Sequence, residues 1–372
     1  MLIGVPKEVK IKEFRVGLIP ASVQEFVHHG HDVIVETAAG AGIGFSDDAY
    51  RAAGAEVVGK AEEVFARADM IIKVKEPQAA ECAMLRPDQI LFTYLHLAAD
   101  PAQARCLMES GAVAIAYETV TDSHGHLPLL APMSEVAGRM SIQVGATALQ
   151  VNNGGSGILL GGVPGVPAAN VVIIGGGVAG TNALRMAIGM EAQVTILDKN
   201  IDRLRELDEQ FGGRINAAYA TKQALADAVR SADLVVGAVL IPGAAAPKVV
   251  TREDLKVMRP GSVLVDISID QGGCFETSRP TSHDNPTFVE EGIVHYCVTN
   301  MPGAVPRTST FALNNAVLPY ALQLANKGFR QALADNAHLR NGLNVFKGQI
   351  TNRPVAEALN LDYVDVQSGL AA

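Results

Sequence analysis

Residues 171–200 read VVIIGGGVAGTNALRMAIGMEAQVTILDKN. An apolar run of strand type meets Gly175-Gly176-Gly177, a helix-like stretch follows from about Val178, and a second apolar run ends at Asp198. Glycine pairs are common at strand-to-helix turns, so the spacing of Gly175, Gly177 and Gly180 gains weight only from this strand–turn–helix–strand setting. Gly175 permits the tight turn, Gly177 lets backbone approach a pyrophosphate, and Gly180 lets helix and strand pack closely. Phosphates would then meet the helix N-terminus, where unpaired N–H groups and the helix dipole favour anions. A carboxylate at Asp198 suits ribose hydroxyls and repels a 2′-phosphate, so the expected cofactor is NAD rather than NADP. Arg203 keeps a second possibility open, since an arginine there could stack on adenine or meet a phosphate.

Working outward, the strand–helix rhythm continues past this segment. INAAYA, the helix TKQALADAVRSA, DLVVGAVL at 233–240, SVLVDISID at 262–270 and GIVHYCVTN at 292–300 complete five or six strands with crossover helices. That is one doubly wound, Rossmann-type nucleotide-binding domain. Upstream, LIGVP, HDVIVET at 31–37, DMIIKVKEP at 69–77, QILFTYLHL at 89–97 and AVAIAYETV at 112–120 read as strands too. They are rich in Val, Ile and Leu without polar alternation, as parallel strands covered on both faces are. PASVQEFVHHG reads as a helix stopped by Gly30, and SDDAYRAAG as one capped by Ser46 and stopped by Gly54. Residues 133–151 look helical and run into a Gly/Pro-rich loop at 152–168, and the chain after Pro306 reads as helical pieces to its end. The predicted class is therefore α/β with two doubly wound domains. An NAD-binding Rossmann domain, 130–306, is inserted into a discontinuous Rossmann-like substrate domain formed by 1–129 and 307–372.

Composition narrows the function. A chain of 372 residues, 48% hydrophobic and 19% charged, suits about two packed domains. Its formal charge of −9, without a dense Lys/Arg stripe, argues against nucleic acid or an anionic membrane as partner. No signal-peptide pattern opens the chain and no apolar run has membrane-span length, so a cytoplasmic protein is expected. Cys82, Cys106, Cys274 and Cys297 form no C-x-x-C pair and read as reduced thiols.

Open α/β sheets bind ligands beyond the carboxyl ends of their strands, and few polar residues pass that filter. Arg15 follows the first strand, Lys75 ends MIIKVK, His96 ends ILFTYLH, Glu118 ends AVAIAYE, Asp270 ends SVLVDISID, and Asn300-Met301 ends GIVHYCVTN. Each alone has a bland reading as a surface charge, a strand-end histidine or a turn residue. Together, two cations, a histidine and a carboxylate beside a nicotinamide suit oxidation of a small amino or hydroxy acid at Cα. Paired cations fit a substrate carboxylate, and the histidine and aspartate fit proton transfer and stabilisation of a cation. The other histidines singled out, His28, His29, His124, His126, His283 and His295, read as structural. None has a partner at metal-ligand spacing, and no metal is expected.

The opening MLIGVPKEVKIKEFRVGLIP, the stretches GAGIGFSDDAY, KVKEP, LFTYLHLAAD, MSEVAGRMSIQVGA and GGGVAGTNA, and HYCVTNMPGAVPRTST together resemble the NAD-dependent alanine dehydrogenases over essentially the whole chain. The related NAD-binding component of proton-translocating transhydrogenase would share the opening and the GAG stretch, but not the TYLHLAAD histidine or the NMPGAVPRTST turn. The resemblance implies reversible oxidative deamination of L-alanine to pyruvate and ammonium with NAD⁺ as hydride acceptor. It implies that Arg15 and Lys75 hold the substrate carboxylate and that His96 and Asp270 are the acid–base pair. Ser134, Val178, Ala179, Asp198, Arg203, Val239, Leu240, Ile267, Ser268, Ile269, Asp270, Arg279, Val298, Thr299, Asn300 and Met301 would line the NAD site. Ala220 departs from a serine frequent in the family, which removes one hydrogen bond near the adenine. A homohexamer is implied by resemblance alone. The competing readings are a dehydrogenase of a longer amino acid, a transhydrogenase-like NAD(H)-binding subunit, and a binding protein without turnover.

Overall fold

The structure, a computed structural model, describes residues 1–239 and 246–366. Strands form where the apolar runs lie: β1 (Leu2–Val5), β2 (Asp32–Glu36), β3 (Glu56–Val58), β4 (Met70–Ile72), β5 (Ile90–Thr93) and β6 (Val113–Ala116). A second series follows: β7 (Asn170–Ile174), β8 (Gln193–Asp198), β9 (Asn216–Tyr219), β10 (Leu234–Gly237), β11 (Val263–Asp266), β12 (Thr287–Glu290) and β13 (Ile293–Tyr296). The last two strands, β14 (Leu343–Phe346) and β15 (Gln349–Ile350), form a hairpin.

Two compact units result, one of residues 1–133 and 305–372 and one of residues 134–304. In the first, the strand order is β15-β14-β6-β5-β4-β1-β2-β3, parallel from β6 through β3. Adjacent residues of one strand enter opposite cores, as in β4, where Met70 and Ile72 join one cluster and Ile71 the other. Both faces being covered explains why these strands carry no polar alternation. Strand order reverses at β1, whose neighbours are β2 and β4, so the loops after β1 and β4 flank a topological switch point.

The second unit repeats the plan with order β12-β13-β11-β10-β7-β8-β9, and its switch point lies between β7 and β10. Only β12 runs antiparallel, at the edge.

Three sequence expectations need correction. The C-terminal stretch LNVFKGQI, read as helical, is the β14–β15 hairpin. Lys347 and Gly348 both take positive φ (48° and 75°), the two-residue turn that matches strand twist, and β14 then pairs antiparallel with β6. The short strands β3 and β12 were not anticipated, because three or four residues leave little periodicity to read. β4 and β5 stop at Ile72 and Thr93, so Lys75 and His96 sit in loops beyond the strands rather than at their last positions.

The long helix Pro306–Asp335 is broken at Gly328 (φ 71°, ψ 153°). Its buried Asn314 ties the two ends of the first unit together. Oδ1 accepts from the Ile19 amide at 2.8 Å and the Ser22 hydroxyl at 3.1 Å, while Nδ2 donates to the Thr310 carbonyl. The segment running from Arg15 into the helix Pro20–His28 is thereby anchored against the C-terminal helix.

Candidate active site

In the first unit, charge is concentrated behind the switch point. Lys73 is 1% exposed, and its ammonium meets Glu81 Oε1 at 2.5 Å and Glu8 Oε2 at 3.2 Å. Burial works against its charge, but the two carboxylates outweigh that and hold its pKa above the ordinary lysine value. Burial pushes the Glu8 carboxyl up, with Lys73 opposing. The other Glu8 oxygen accepts the backbone N–H of Val74 at 2.7 Å and lies 3.4 Å from that of Lys75. From the opposite side, Thr93 Oγ1 donates to the Lys75 carbonyl at 3.0 Å. The backbone of Lys75 is therefore pinned by β5 and by an ion cluster the sequence reading did not identify. Lys73 precedes Lys75 by two positions in KVK, and nothing local says which lysine points inward.

Arg15 is 2% exposed and forks onto Glu13, with Nε to Oε1 at 2.7 Å and Nη2 to Oε2 at 2.6 Å. Burial alone would lower its pKa, and Glu13 more than restores it. An exposed-charge reading of Arg15 is thus replaced by a buried bidentate pair. Next to Lys75, Glu76 pairs with Lys10, and its Oε2 is buried with no hydrogen-bond partner among the described residues. Burial raises the Glu76 pKa, but Lys75 and Lys10 together bring it below the usual glutamate value.

His96 takes φ 52° and ψ 36°, the left-handed region that a non-glycine residue rarely adopts. Glu118, just beyond β6, holds it there. Its carboxylate accepts the His96 amide at 2.6 Å and the Leu95 amide at 3.2 Å, and lies 3.9 Å from Nδ1. The imidazole stacks on Tyr94 at 5.7 Å with 5° between planes, and Tyr94 and Phe92 each meet Tyr117 edge-on. Tyr94 donates its hydroxyl to the Leu129 carbonyl at 2.5 Å, so the platform beneath His96 is itself fixed. The Tyr94 amide also bonds the Val74 carbonyl at 3.3 Å, joining the His96 loop to the Lys75 loop. Lys75, His96 and Glu118 are therefore brought to one end of the sheet.

In the second unit the glycine turn is built from backbone. Gly175 has φ 104°, and a Cβ there would stand 2.4 Å from the Ala238 carbonyl oxygen beyond β10. A Cβ at Gly180 would lie 1.8 Å from the Gly175 oxygen. At Gly177, the N-cap of the helix Val178–Gly189, it would meet nothing within 4 Å. Two glycines are thus required by the protein itself, whereas Gly177 leaves open space at a helix N-terminus, which fits a dinucleotide phosphate. Asp198 Oδ2 accepts the Gly176 amide at 2.6 Å, and Oδ1 that of Asn200 at 2.7 Å. Arg203 grips the same loop, with Nε to the Gly176 carbonyl and Nη2 to Thr181 Oγ1, each 2.7 Å. Nothing in the sequence of Arg203 distinguished this bracing position from contact with adenine or phosphate.

Ala220 is buried, and its amide continues from β9 to the Asp198 carbonyl. Ser268 donates to the Val239 carbonyl at 2.7 Å, tying the β10 and β11 ends together, and Ile267 to Gln271 form a short 3₁₀ turn. That turn begins at Asp266, a fully buried carboxylate accepting from Ser268, Cys274 and Ser278. Burial lifts its pKa against those bonds. Four residues on, Asp270 is exposed, and no hydrogen bond or ion pair holds it among the described residues. Of the two aspartates in VDISID, Asp266 closes the turn and Asp270 is exposed.

Val298 and Met301 are buried, Thr299 bonds the Thr281 carbonyl, and Asn300 takes φ 58° with its carbonyl 3.2 Å from His283 Nε2. Ser134 and Ala179 are partly buried and Val178 is exposed. The Arg279 guanidinium stacks on Phe288 at 3.9 Å. Leu240 lies outside the described residues. His295 is buried with both ring nitrogens engaged, by Thr277 and the Ile293 carbonyl, as a structural histidine should be. The fold places Asp122 beside His124 and His126.

Residues 4–137 match the family model described as alanine dehydrogenase/PNT, N-terminal domain, and residues 141–353 the corresponding C-terminal domain. The chain is 58% identical to an alanine dehydrogenase of Halomonas elongata, over 99% of both chains. It is 53% identical to one of Mycolicibacterium smegmatis over the full length of each. A solved L-alanine dehydrogenase structure superposes with a TM-score of 0.94 at 51% identity, covering 97% of this chain and 99% of that one. A transhydrogenase structure from Sinorhizobium meliloti, at 23% identity and TM-score 0.81 over 95% and 99% of the two chains, shares the fold.

Proposed function

The chain belongs to the alanine dehydrogenase/PNT family, and from that premise we propose that it interconverts L-alanine and pyruvate plus ammonium with NAD as hydride carrier. The observation that carries the chemistry is the placement of Lys75 and His96 on two bonded loops at the carboxyl end of a parallel sheet, beside its switch point.

Lys75 and Arg15 would hold the substrate carboxylate. Arg15 is paired with Glu13, and Lys75 adds a second cation. The buried, unpartnered Glu76 Oε2 suits the substrate's ammonium. His96 would take a proton from the amine or from the water that adds at Cα, with its ring orientation set by Tyr94 and its backbone by Glu118. Asp270, exposed and unengaged, would hold or release the second proton and stabilise the cationic carbon centre. Gly175 to Gly180 would hold the pyrophosphate and Asp198 the ribose, with the residues around Val239, Ile267 to Asp270 and Val298 to Met301 along the rest of the cofactor. Bound NAD supplies the hydride-accepting carbon. The Asp198 carboxylate favours NAD over NADP, because each oxygen keeps a lone pair beyond its one amide bond and its charge repels a 2′-phosphate.

Among the described residues no helix is long and apolar enough to cross a membrane. A cytoplasmic homohexamer acting on small molecules completes the proposal, resting on the family.

NADH formation from L-alanine and NAD⁺, with L-serine, L-lysine and NADP⁺ as comparisons, tests the reaction. Asp270→Asn is expected to lower kcat by roughly 10²–10⁴-fold while NADH affinity stays within about threefold. A near-normal kcat removes Asp270 from the mechanism. Turnover with L-lysine but not L-alanine would overturn the substrate.

A further inference from the structure

Between β6 and the helix Ala131–Ala148 the chain makes a turn, Asp122-Ser123-His124-Gly125-His126. The backbone closes it twice: the Asp122 amide bonds the His126 carbonyl, and the Gly125 amide the Asp122 carbonyl, each at 3.0 Å, with Gly125 at φ 77°. Asp122 Oδ1 accepts the amides of both His124 and His126 at 2.8 Å, and Oδ2 lies 3.1 Å from His126 Nδ1. The two imidazoles stand 5.7 Å apart, 22° from parallel. One carboxylate oxygen and one ring nitrogen from each histidine lie within 4.8 Å of one another.

We propose that this turn is a binding site for a divalent transition-metal ion, with Asp122, His124 and His126 as its protein ligands and water in the remaining positions. Two imidazoles and one carboxylate favour Zn²⁺, Cu²⁺ or Ni²⁺ over Mg²⁺ or Ca²⁺, which take oxygen sets. Metal–ligand bonds of about 2.0–2.1 Å bring tetrahedral ligands to about 3.4 Å of one another. The widest pair therefore has to close by at most about 1.4 Å. Both histidines are exposed, so side-chain rotation supplies that movement without disturbing the backbone. The backbone is already ordered, which removes much of the entropy cost of assembling a site from a loop. It is also anchored, since Thr121 bonds the His338 carbonyl at 3.3 Å, the His338 ring at 3.0 Å and the Asn341 amide at 2.9 Å. None of the three ligands takes part in the proposed reaction, so the site is separate from it.

The test is calorimetric titration of the untagged full-length chain, stripped with chelator, with ZnCl₂, alongside Cu²⁺ electron paramagnetic resonance. The proposal expects one saturable Zn²⁺ per chain and a Cu²⁺ spectrum with splitting from two nitrogens. His124→Ala and His126→Ala should each weaken binding by about tenfold or more and remove one nitrogen's splitting. His28→Ala, outside the turn, should leave both unchanged. NADH binding by the variants checks their folding independently. Absence of saturable Zn²⁺ binding in the native chain, or equal affinity in the His124→Ala/His126→Ala double variant, overturns the site.

Discussion

In the first unit, Lys73 and Arg15 are almost fully enclosed and each is neutralised by carboxylates at 2.5–3.2 Å, whereas the second unit presents the glycine turn Gly175–Gly177 and an exposed Asp270. The first spends buried charge to fix the backbone of the loops that bear Lys75 and His96. The second spends glycine to bring amides close to where phosphate would lie. A dry ion cluster is unforgiving of losing one partner, because the others stay buried and uncompensated. A glycine turn is unforgiving of a single methyl group, because the clash is with backbone that has nowhere to go. The two units should therefore fail to different substitutions.

The largest expected effect is at Gly180, where Ala would place a methyl group 1.8 Å from a carbonyl oxygen. Gly180→Ala should abolish NADH binding and cost at least about 3 kcal/mol of stability, read by denaturant unfolding and fluorescence titration. Gly177→Ala should leave stability within about 0.5 kcal/mol and weaken NADH alone. Equal stability loss in both would erase the distinction drawn between them.

Lys73→Ala comes next, leaving Glu8 and Glu81 buried without their cation. It should cost about 3–5 kcal/mol and lower Tm, with Lys75→Ala changing KM for alanine but hardly moving Tm. A smaller effect belongs to Glu118→Ala, which removes the acceptor holding His96 at positive φ. We expect kcat to fall roughly ten- to a hundredfold from misplacement of the imidazole, with NADH affinity unchanged. An unaltered kcat would mean that the stack on Tyr94 suffices.

The smallest effect concerns pH. Burial lowers the His295 pKa below its ordinary 6.5, opposed by the bond to the Ile293 carbonyl. The unfolded chain then binds the proton more readily than the folded one, so this contribution to stability is complete above 6.5 and lost as pH falls below it. The fall in Tm on acidification through that range should be shallower in His295→Gln, and an identical slope would assign it to other groups.

Much of the layout was legible because it follows from local rules. The parallel strands announce themselves by unbroken Val/Ile/Leu runs, and the turn at Gly175 by glycine spacing between strand and helix. The sequence also placed the cap at Ser46, set by the preference of a single residue. The hairpin at Lys347-Gly348 was missed, since its strands are short and one partner, β6, lies far back in the chain.

What the tertiary structure alone decided is which of two like residues does what. Lys73 and Lys75 differ by two positions, yet one is sealed among Glu8 and Glu81 and the other stands at the loop. Asp266 and Asp270 differ by four, yet one closes a turn and the other is exposed. Arg203, read from the sequence as a contact to adenine or a phosphate, grips the Gly176 carbonyl and Thr181. His124 and His126 had no visible third partner until the turn placed Asp122 beside them. In each case the deciding quantity is burial and the identity of a neighbour, properties of the packed chain that residue type and spacing do not contain.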